Sequence, residues 1–255
     1  MRRVMVTHST SSYKDVLCQW MLTLNRLHTI MLEKGLMEMN TDLIELLSRF
    51  NRKERFFLVG NALGKKDFSL SCGFRKRLQH AVGLDECIPA HAFVAMDYHL
   101  DWIAAALTVF AKDDKSKVFG NCEIDGTKLV MGNQEDVDFL VCFKGNDSNY
   151  NLILLEAKGY SSWSSVQMES KMTRFRRIFG DKGDRIAGVK PIFCLTSPRP
   201  PQQLKYGEWP EWCKPANKKP YWLELPIPVN RRLVGRCDAE GNSAEHGQYF
   251  HIYAG

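Results

Sequence analysis

Two apolar runs joined by a short polar turn constrain the fold of this 255-residue chain most strongly. The first run reads D-V-D-F-L-V-C-F, the turn reads K-G-N-D-S-N, and the second run reads Y-N-L-I-L-L-E-A-K-G. β-Branched and aromatic residues on both sides of a Gly/Asn/Asp turn are typical of a β-hairpin. The sequence therefore predicts two antiparallel strands, over 137–143 and 151–157.

The predicted hairpin brings charged residues together at one edge of a buried sheet. Residues two apart in a strand face the same side, so Glu156 and Lys158 project together. The return of the chain places Asp138, at the head of the first strand, close to Glu156. Burying such charges is costly unless they pair with one another or hold a metal ion. This cluster is therefore the candidate functional site.

Two carboxylates with a lysine beside them suit phosphodiester hydrolysis by a divalent metal. Mg²⁺ prefers oxygen ligands, keeps several waters and uses only one or two protein carboxylates. Such an ion polarises a phosphoryl oxygen and lowers the pKa of a bound water. A nearby ammonium orients that water or stabilises the negative charge of the transition state. In this interpretation Asp138 and Glu156 bind Mg²⁺ or Mn²⁺, and Lys158 assists the attacking water.

Segments with the apolar periodicity of helices surround the hairpin. The stretch 91–112 is Ala-rich and contains neither Gly nor Pro, so it predicts one continuous helix. A second helix is predicted over 162–179, with Ser161 or Ser162 as its N-cap and Gly180 as its end. Further helices are predicted over 13–34, after an N-cap at Thr41 and over 74–81, and further strands over 118–124, 127–131, 190–197, 221–229 and 248–253.

The predicted order over 91–197 is helix, two or three strands, helix, strand. An aspartate opens one strand and E-A-K closes the next. This pattern resembles the PD-(D/E)XK nuclease superfamily, which has the restriction-endonuclease-like fold. The resemblance implies that Asp138 is the first metal-binding carboxylate, Glu156 the second and Lys158 the lysine of the motif. One departure is Val137, which stands where the family has a variable proline.

The resemblance implies further site residues. Members place another acidic residue on the first core helix, which here is Asp101, with Asp97 one predicted helical turn earlier as the alternative. Many members carry a glutamine on the helix after E-x-K, and this falls on Gln167. Lys171 and Arg174 follow Gln167 at i+4 and i+7, on one helical face where a phosphate backbone could run. For Gln167 and Asp101, an equal alternative is that each is an ordinary exposed residue of its helix.

The charge distribution fits a cation site beside a surface for a polyanion. Residues 84–157 hold 5 basic and 13 acidic residues, whereas residues 158–236 hold 16 basic and 6 acidic residues. An acidic centre next to basic segments is typical of metal-dependent proteins that bind nucleic acid. Arg231 and Arg232 are candidate phosphate contacts, with a solvated strand face as the equal alternative. Chance unevenness of charge is the alternative for the whole pattern.

Several classes of protein are disfavoured by the sequence. No run approaches eighteen apolar residues, so no membrane-spanning segment is expected. The start, M-R-R-V-M-V-T-H-S-T, lacks the apolar core and A-x-A site of a signal peptide. The 8 cysteines include no C-x-x-C pair, which argues against a zinc ribbon and predicts reduced thiols in a cytoplasmic protein.

The predicted fold class is α/β, with a central mixed β-sheet flanked by helices. The boundaries are an N-terminal helical region over 1–88, a nuclease-like core over 89–200 and a small C-terminal β extension over 201–255. The predicted function is a metal-dependent nuclease acting on nucleic acid, with DNA favoured over RNA. One such site cuts one strand, so cutting both strands calls for a homodimer. Two alternatives stay open: a non-catalytic nucleic-acid-binding or assembly module of the same fold, and a structural protein whose charge cluster is accidental.

Overall fold

The protein is an α/β structure built on a five-stranded mixed β-sheet flanked by helices. The computed structural model describes residues 42–64, 68–112, 118–121, 128–159, 163–215, 217–228 and 230–254. Its helices are α1 (Leu43–Phe50), α2 (Glu54–Ala62), α3 (Cys72–Ala81), α4 (Leu100–Lys112) and α5 (Ser165–Phe179). Its strands are β1 (Phe93–His99), β2 (Asp136–Lys144), β3 (Tyr150–Ala157), β4 (Val189–Ser197), β5 (Tyr221–Glu224), β6 (Arg232–Cys237) and β7 (Tyr249–Ala254), and a 3-10 helix spans Glu211–Cys213.

The central sheet has the strand order β1-β2-β3-β4-β5. The pairs β1–β2 and β2–β3 are antiparallel, and the pairs β3–β4 and β4–β5 are parallel. The predicted hairpin is confirmed as β2 and β3, and its turn closes with a 2.7 Å hydrogen bond from Gly145 N to Asn149 O. Parallel strands need a crossover, which α5 supplies between β3 and β4.

Helices cover both faces of the sheet. Leu152 and Leu154 of β3 pack in the cluster that contains the buried side chains of α1, α4 and α5. Ile153 and Leu155 pack in a second cluster with Leu78 of α3 on the opposite face. Strands buried on both faces carry continuous apolar runs rather than an alternating pattern, which explains the composition of β3.

The single helix predicted over 91–112 is wrong in its first half. Phe93–His99 forms strand β1, and the helix begins only at Leu100. No Gly or Pro marks the change, and Asp97, whose φ is +48°, interrupts the pairing of β1 with β2 two residues before the strand ends. The apolar residues of 93–98 fill the sheet, and Tyr98 donates a 2.7 Å hydrogen bond to Leu47 O of α1. Tertiary packing therefore overrides the helical periodicity of this segment.

Several element ends differ from the predicted ones. Helix α5 ends at Gly180 as predicted, with φ +80°, but its N-cap is Ser164, while Ser161 and Ser162 lie outside the described residues. Helix α1 is capped by the Asp42 carboxylate, which accepts from two backbone N–H groups at 2.8 and 3.1 Å. Thr41 and the helix predicted over 13–34 lie outside the described residues. The described parts of the two strands predicted over 118–124 and 127–131 are outside the regular strands.

The C-terminal segment contributes to two sheets. Strand β5 pairs with β4, so this part of the predicted extension completes the central sheet. Strands β6 and β7 form a separate antiparallel sheet of two strands. In the described parts of the chain, the helices are all too short or too polar to cross a bilayer.

Candidate functional site

Strands β2 and β3 separate where the charged residues begin. Their last paired residues are Phe139 and Leu155, whereas β3 stays paired with β4 as far as Ala157. The side chain of Asp138 occupies the opening, where its Oδ2 accepts a 2.6 Å hydrogen bond from Ala157 N. Because that nitrogen belongs to the peptide bond that follows Glu156, the two acidic residues lie next to each other. The predicted approach of Asp138 to Glu156 is thus seen in the fold.

Glu156 is buried at the end of β3, with an exposed fraction of 3%. Burial raises the pKa of this carboxyl to about 7, the ammonium of Lys171 opposes the rise, and the charge of Asp138 adds to it. Lys171 Nζ donates to Glu156 Oε2 and, at 2.7 Å, to the carbonyl oxygen of Asp136. The ammonium therefore bridges the beginning of β2 and the end of β3.

Lys158 lies on the same side of β3 as Glu156. Its Nζ donates a 3.3 Å hydrogen bond to Gln167 Oε1 and lies 5.9 Å from the ring centroid of Trp163. Both Gln167 and Lys171 belong to α5, so Glu156 and Lys158 face the same helix, as residues two apart in a strand should. The structure thereby brings Gln167 to the lysine of the E-A-K sequence.

Asp101 anchors the segment that precedes β2. It lies in the first turn of α4, and its two oxygens accept hydrogen bonds from Met131 N at 3.0 Å and Gly132 N at 2.7 Å. The guanidinium of Arg174 donates to the same carboxylate and, at 2.8 Å, to Leu129 O. Both oxygens of Asp101 already accept hydrogen bonds from the protein. The carboxylates of Asp138 and Glu156 are therefore the better donors for a metal.

Lys171 and Arg174 face inward, which corrects the expectation that they run along a phosphate backbone. Their exposed fractions are only 4% and 3%, and each pairs with an acidic side chain. The helical face that they share is the face of α5 that packs on the sheet, together with Met168 and Phe175. Long side chains let both cations reach the polar edge of the sheet from this buried face.

A second polar group lies beside the site and was missed at the sequence level. Lys53 Nζ donates a 3.3 Å hydrogen bond to Asp136 Oδ2 and lies 3.2 Å from His99 Nε2. Burial and the Lys53 charge lower the pKa of His99, whose ring stacks on Trp102. No local signal reveals this group, because Lys53 lies far from both partners in the chain.

Asp97 is not one helical turn before Asp101, because it belongs to strand β1. Its carboxylate pairs with Arg55 at 2.9 Å. The strand backbone turns at Asp97, where φ is +48°, so the residue occupies the left-handed region. The alternative to Asp101 is therefore engaged in a surface ion pair of its own.

Arg231 and Arg232 lie at the beginning of β6, and both are exposed. In the β6–β7 register Arg232 is opposite Ala254, Val234 opposite Ile252 and Arg236 opposite Phe250. Residues two apart share a face, so these six side chains form one face of the two-stranded sheet. We call it the hairpin face. Val234, Phe250 and Ile252 on it are 69%, 69% and 63% exposed.

The donor set fits a hard divalent ion with few protein ligands. Within the described residues no three His, Cys, Asp or Glu side chains are grouped so as to hold a metal. Asp138 and Glu156 supply two carboxylates, which is the number that Mg²⁺ commonly uses while it keeps several waters. Asp138 and Glu156 are therefore the residues that would hold such an ion, with water as its other ligands.

No family model, curated protein or solved structure matches this chain. Its functional interpretation therefore depends on the geometry of the site and the chemistry of its side chains.

Proposed function

We propose that this protein is a metal-dependent phosphodiester hydrolase, a nuclease of the PD-(D/E)XK type that acts on DNA. One observation carries the proposal. The carboxylate of Asp138 accepts a hydrogen bond from Ala157 N, beside Glu156, where two strands separate, and Lys158 lies on the same side as Glu156. Two carboxylates and an ammonium at one strand opening suit the binding of a cation and the hydrolysis of a phosphodiester.

Each residue has a defined role in this proposal. Asp138 and Glu156 would hold Mg²⁺ or Mn²⁺, which would supply Lewis-acid chemistry and lower the pKa of a water. Lys158 stabilises the negative charge that develops on the phosphoryl group and orients the attacking water. Gln167 positions Lys158, because its Oε1 accepts from the ammonium at 3.3 Å. Exposed cations such as Arg231 and Arg232 hold the nucleic-acid backbone.

The proposed setting is a cytoplasmic protein that acts on DNA. One site of this type hydrolyses one strand, so cleavage of both strands requires two copies, arranged as a homodimer. The chemistry of the site and the exposed arginines at the beginning of β6 support a nucleic-acid partner in this proposal.

A second candidate function is a non-catalytic nucleic-acid-binding or assembly module with the same fold. It is favoured by the ion pair between Glu156 and Lys171, which already neutralises one of the two carboxylates. A site whose charges are satisfied internally has less need of a metal. The two candidates differ in turnover, so an assay of cleavage separates them.

The test incubates the full chain with plasmid, linear and single-stranded DNA and with RNA, in the presence of Mg²⁺, Mn²⁺ or a chelator. We expect cleavage that requires metal and that falls by about 10²–10³-fold in Lys158→Ala, since a charge-stabilising group has that effect on rate. The matched control is Lys190→Ala, an exposed lysine paired with Asp147. Its cleavage rate should equal that of the wild type.

Two other outcomes decide against the enzyme. Binding of nucleic acid without cleavage under every metal supports the module. Neither binding nor cleavage, in a protein whose circular dichroism spectrum shows a folded chain, contradicts both candidates.

A further inference from the structure

The ammonium of Lys171 lies in the opening between β2 and β3. It donates to Glu156 Oε2 and, at 2.7 Å, to Asp136 O. Asp138, two residues further along β2, reaches the same opening and accepts from Ala157 N. A cation that belongs to the protein is thus already bound to one of the two carboxylates assigned to the metal.

We propose that Lys171 is an internal counter-cation that competes with a divalent metal for Glu156, so that metal binding requires Lys171 to release this carboxylate. The inference rests on the proposed function and goes beyond it, because it assigns control of metal affinity to a residue outside the D…E-A-K pattern. Lys171 is in this sense a positioning residue and not a catalytic one.

The charges in the opening support the competition. Without metal, the ionised Glu156 carboxylate is attracted by the ammonium groups of Lys171 and Lys158 and repelled by the charge of Asp138. The side chains of Glu156 and Lys171 are only 4% and 5% exposed, so solvent screens their interaction weakly. A dication on the same carboxylate would repel the ammonium strongly in such surroundings. The two cations therefore bind Glu156 in competition.

Lys171 has a second partner to hold it after release. The hydrogen bond to Asp136 O does not involve Glu156, and the four-carbon stem of a lysine pivots without movement of the helix backbone. Met172 is adjacent to Lys171 on α5, and Met168 lies about one helical turn before it. Both methionines are buried in the core and keep the helix in place on the sheet. Release therefore needs a change of side-chain conformation only.

The first test is a calorimetric titration of the full chain with Mg²⁺ at about pH 8.5, where a proton competes little for the carboxylate. We expect Lys171→Met, which keeps the volume and removes the charge, to bind Mg²⁺ at least about tenfold more tightly than the wild type. Lys190→Met removes an exposed lysine as the matched control and should not change the affinity. A folded Lys171→Met protein with equal or weaker affinity overturns the inference.

The second test uses the wild-type chain and so does not depend on the folding of a variant. Lysines are acetylated with acetic anhydride, with and without Mg²⁺, and quantified by mass spectrometry. We expect metal to increase the labelling of Lys171 several-fold relative to Lys190. Labelling of Lys171 that does not respond to saturating Mg²⁺ overturns the inference.

The inference and the proposed function fail in different ways. If neither the wild type nor Lys171→Met binds Mg²⁺, the metal site is wrong and both fail. If the wild type binds Mg²⁺ and cleaves DNA but Lys171→Met has an unchanged affinity, only the role of Lys171 is overturned.

Discussion

The ionisation of Glu156 depends on the fold, because its carboxyl is buried at the end of β3. Burial raises its pKa from the ordinary value of 4.5 to about 7, despite the ammonium of Lys171. The folded protein thus holds the Glu156 proton more tightly than the unfolded chain does. Folding is therefore favoured by protonation, and the stability that this group contributes falls as the pH rises from about 4.5 to about 7.

This pH dependence is measurable by denaturant unfolding of the metal-free protein. Between about pH 4.5 and about pH 7, we expect the free energy of unfolding to fall by about 2–3 kcal/mol more in the wild type than in Glu156→Gln. The amide of the variant does not titrate, so the difference isolates one carboxyl. Parallel curves for the two proteins would show that Glu156 has an ordinary pKa.

Two roles for Asp101, an anchor of Arg174 and a metal ligand, lead to different predictions for Asp101→Asn. As an anchor it neutralises Arg174, whose side chain is only 3% exposed, and Asp101→Asn leaves that buried charge with the more distant carboxylate of Glu135, 3.8 Å away. We expect this variant to lose about 3–5 kcal/mol of unfolding free energy, as broken buried ion pairs do. Its Mg²⁺ affinity, measured while it is folded, should stay that of the wild type. Lower Mg²⁺ affinity with unchanged stability would make Asp101 a metal ligand instead.

The sequence reveals the proximity of Asp138, Glu156 and Lys158 because that proximity follows from local rules. A turn of Gly, Asn and Asp residues reverses the chain, and the two-residue period of a strand puts Glu156 and Lys158 on one side. Lys171 is different. Its pairing with Glu156 depends on how α5 packs across β3, and helical spacing alone gives the same pattern for an exposed and a buried face.

At the scale of elements, β1 shows how tertiary packing decides between two compatible patterns. The residues of 91–112 fit a helix throughout, and no Gly or Pro separates the strand from α4. Strand β1 forms because it pairs with β2 over Phe93–His99 and packs under α1. Such long-range pairing is invisible to a local pattern, which is why the hairpin was predicted and β1 was not.

Helix α1 is held on the sheet by a buried hydrogen bond from Tyr98 to Leu47 O, at 2.7 Å. Burial raises the pKa of this phenol, which keeps it a donor. We expect Tyr98→Phe to lower the unfolding free energy by about 1–3 kcal/mol, because the carbonyl of Leu47 is then buried without its donor. Urea unfolding measures the loss. The control is Tyr253→Phe, an exposed tyrosine of β7. Equal losses in the two variants would exclude a specific role of Tyr98.

At the scale of the whole molecule, the burial of Lys171 and Arg174 moves the expected nucleic-acid contact elsewhere. Lys171 and Arg174 form ion pairs with acidic side chains of the protein, whereas Arg232 is exposed on the hairpin face with Phe250 and Ile252. Arginines hold phosphates and exposed aromatic rings stack on bases, so this face suits a nucleic-acid strand. If the protein acts on nucleic acid as proposed, we expect the strand to contact the C-terminal hairpin rather than α5.

Salt dependence tests this assignment. We expect Arg232→Ala to reduce the slope of log affinity for DNA against log salt concentration by about 0.7–0.9, the value for one lost phosphate contact. Fluorescence anisotropy in the presence of a chelator measures binding without cleavage. Lys190→Ala removes an exposed positive charge elsewhere and should leave the slope unchanged. If Arg232→Ala also leaves it unchanged, the hairpin face does not hold the phosphate backbone.

The sharing of one divalent ion by Asp138 and Glu156 is tested most directly by anomalous diffraction from crystals soaked in Mn²⁺. We expect a single anomalous peak in the opening between β2 and β3, with carboxylate oxygens of both residues at about 2.1–2.2 Å from it. A map without a peak in that opening, or with a peak that only one of the two carboxylates contacts, would contradict the proposed metal site.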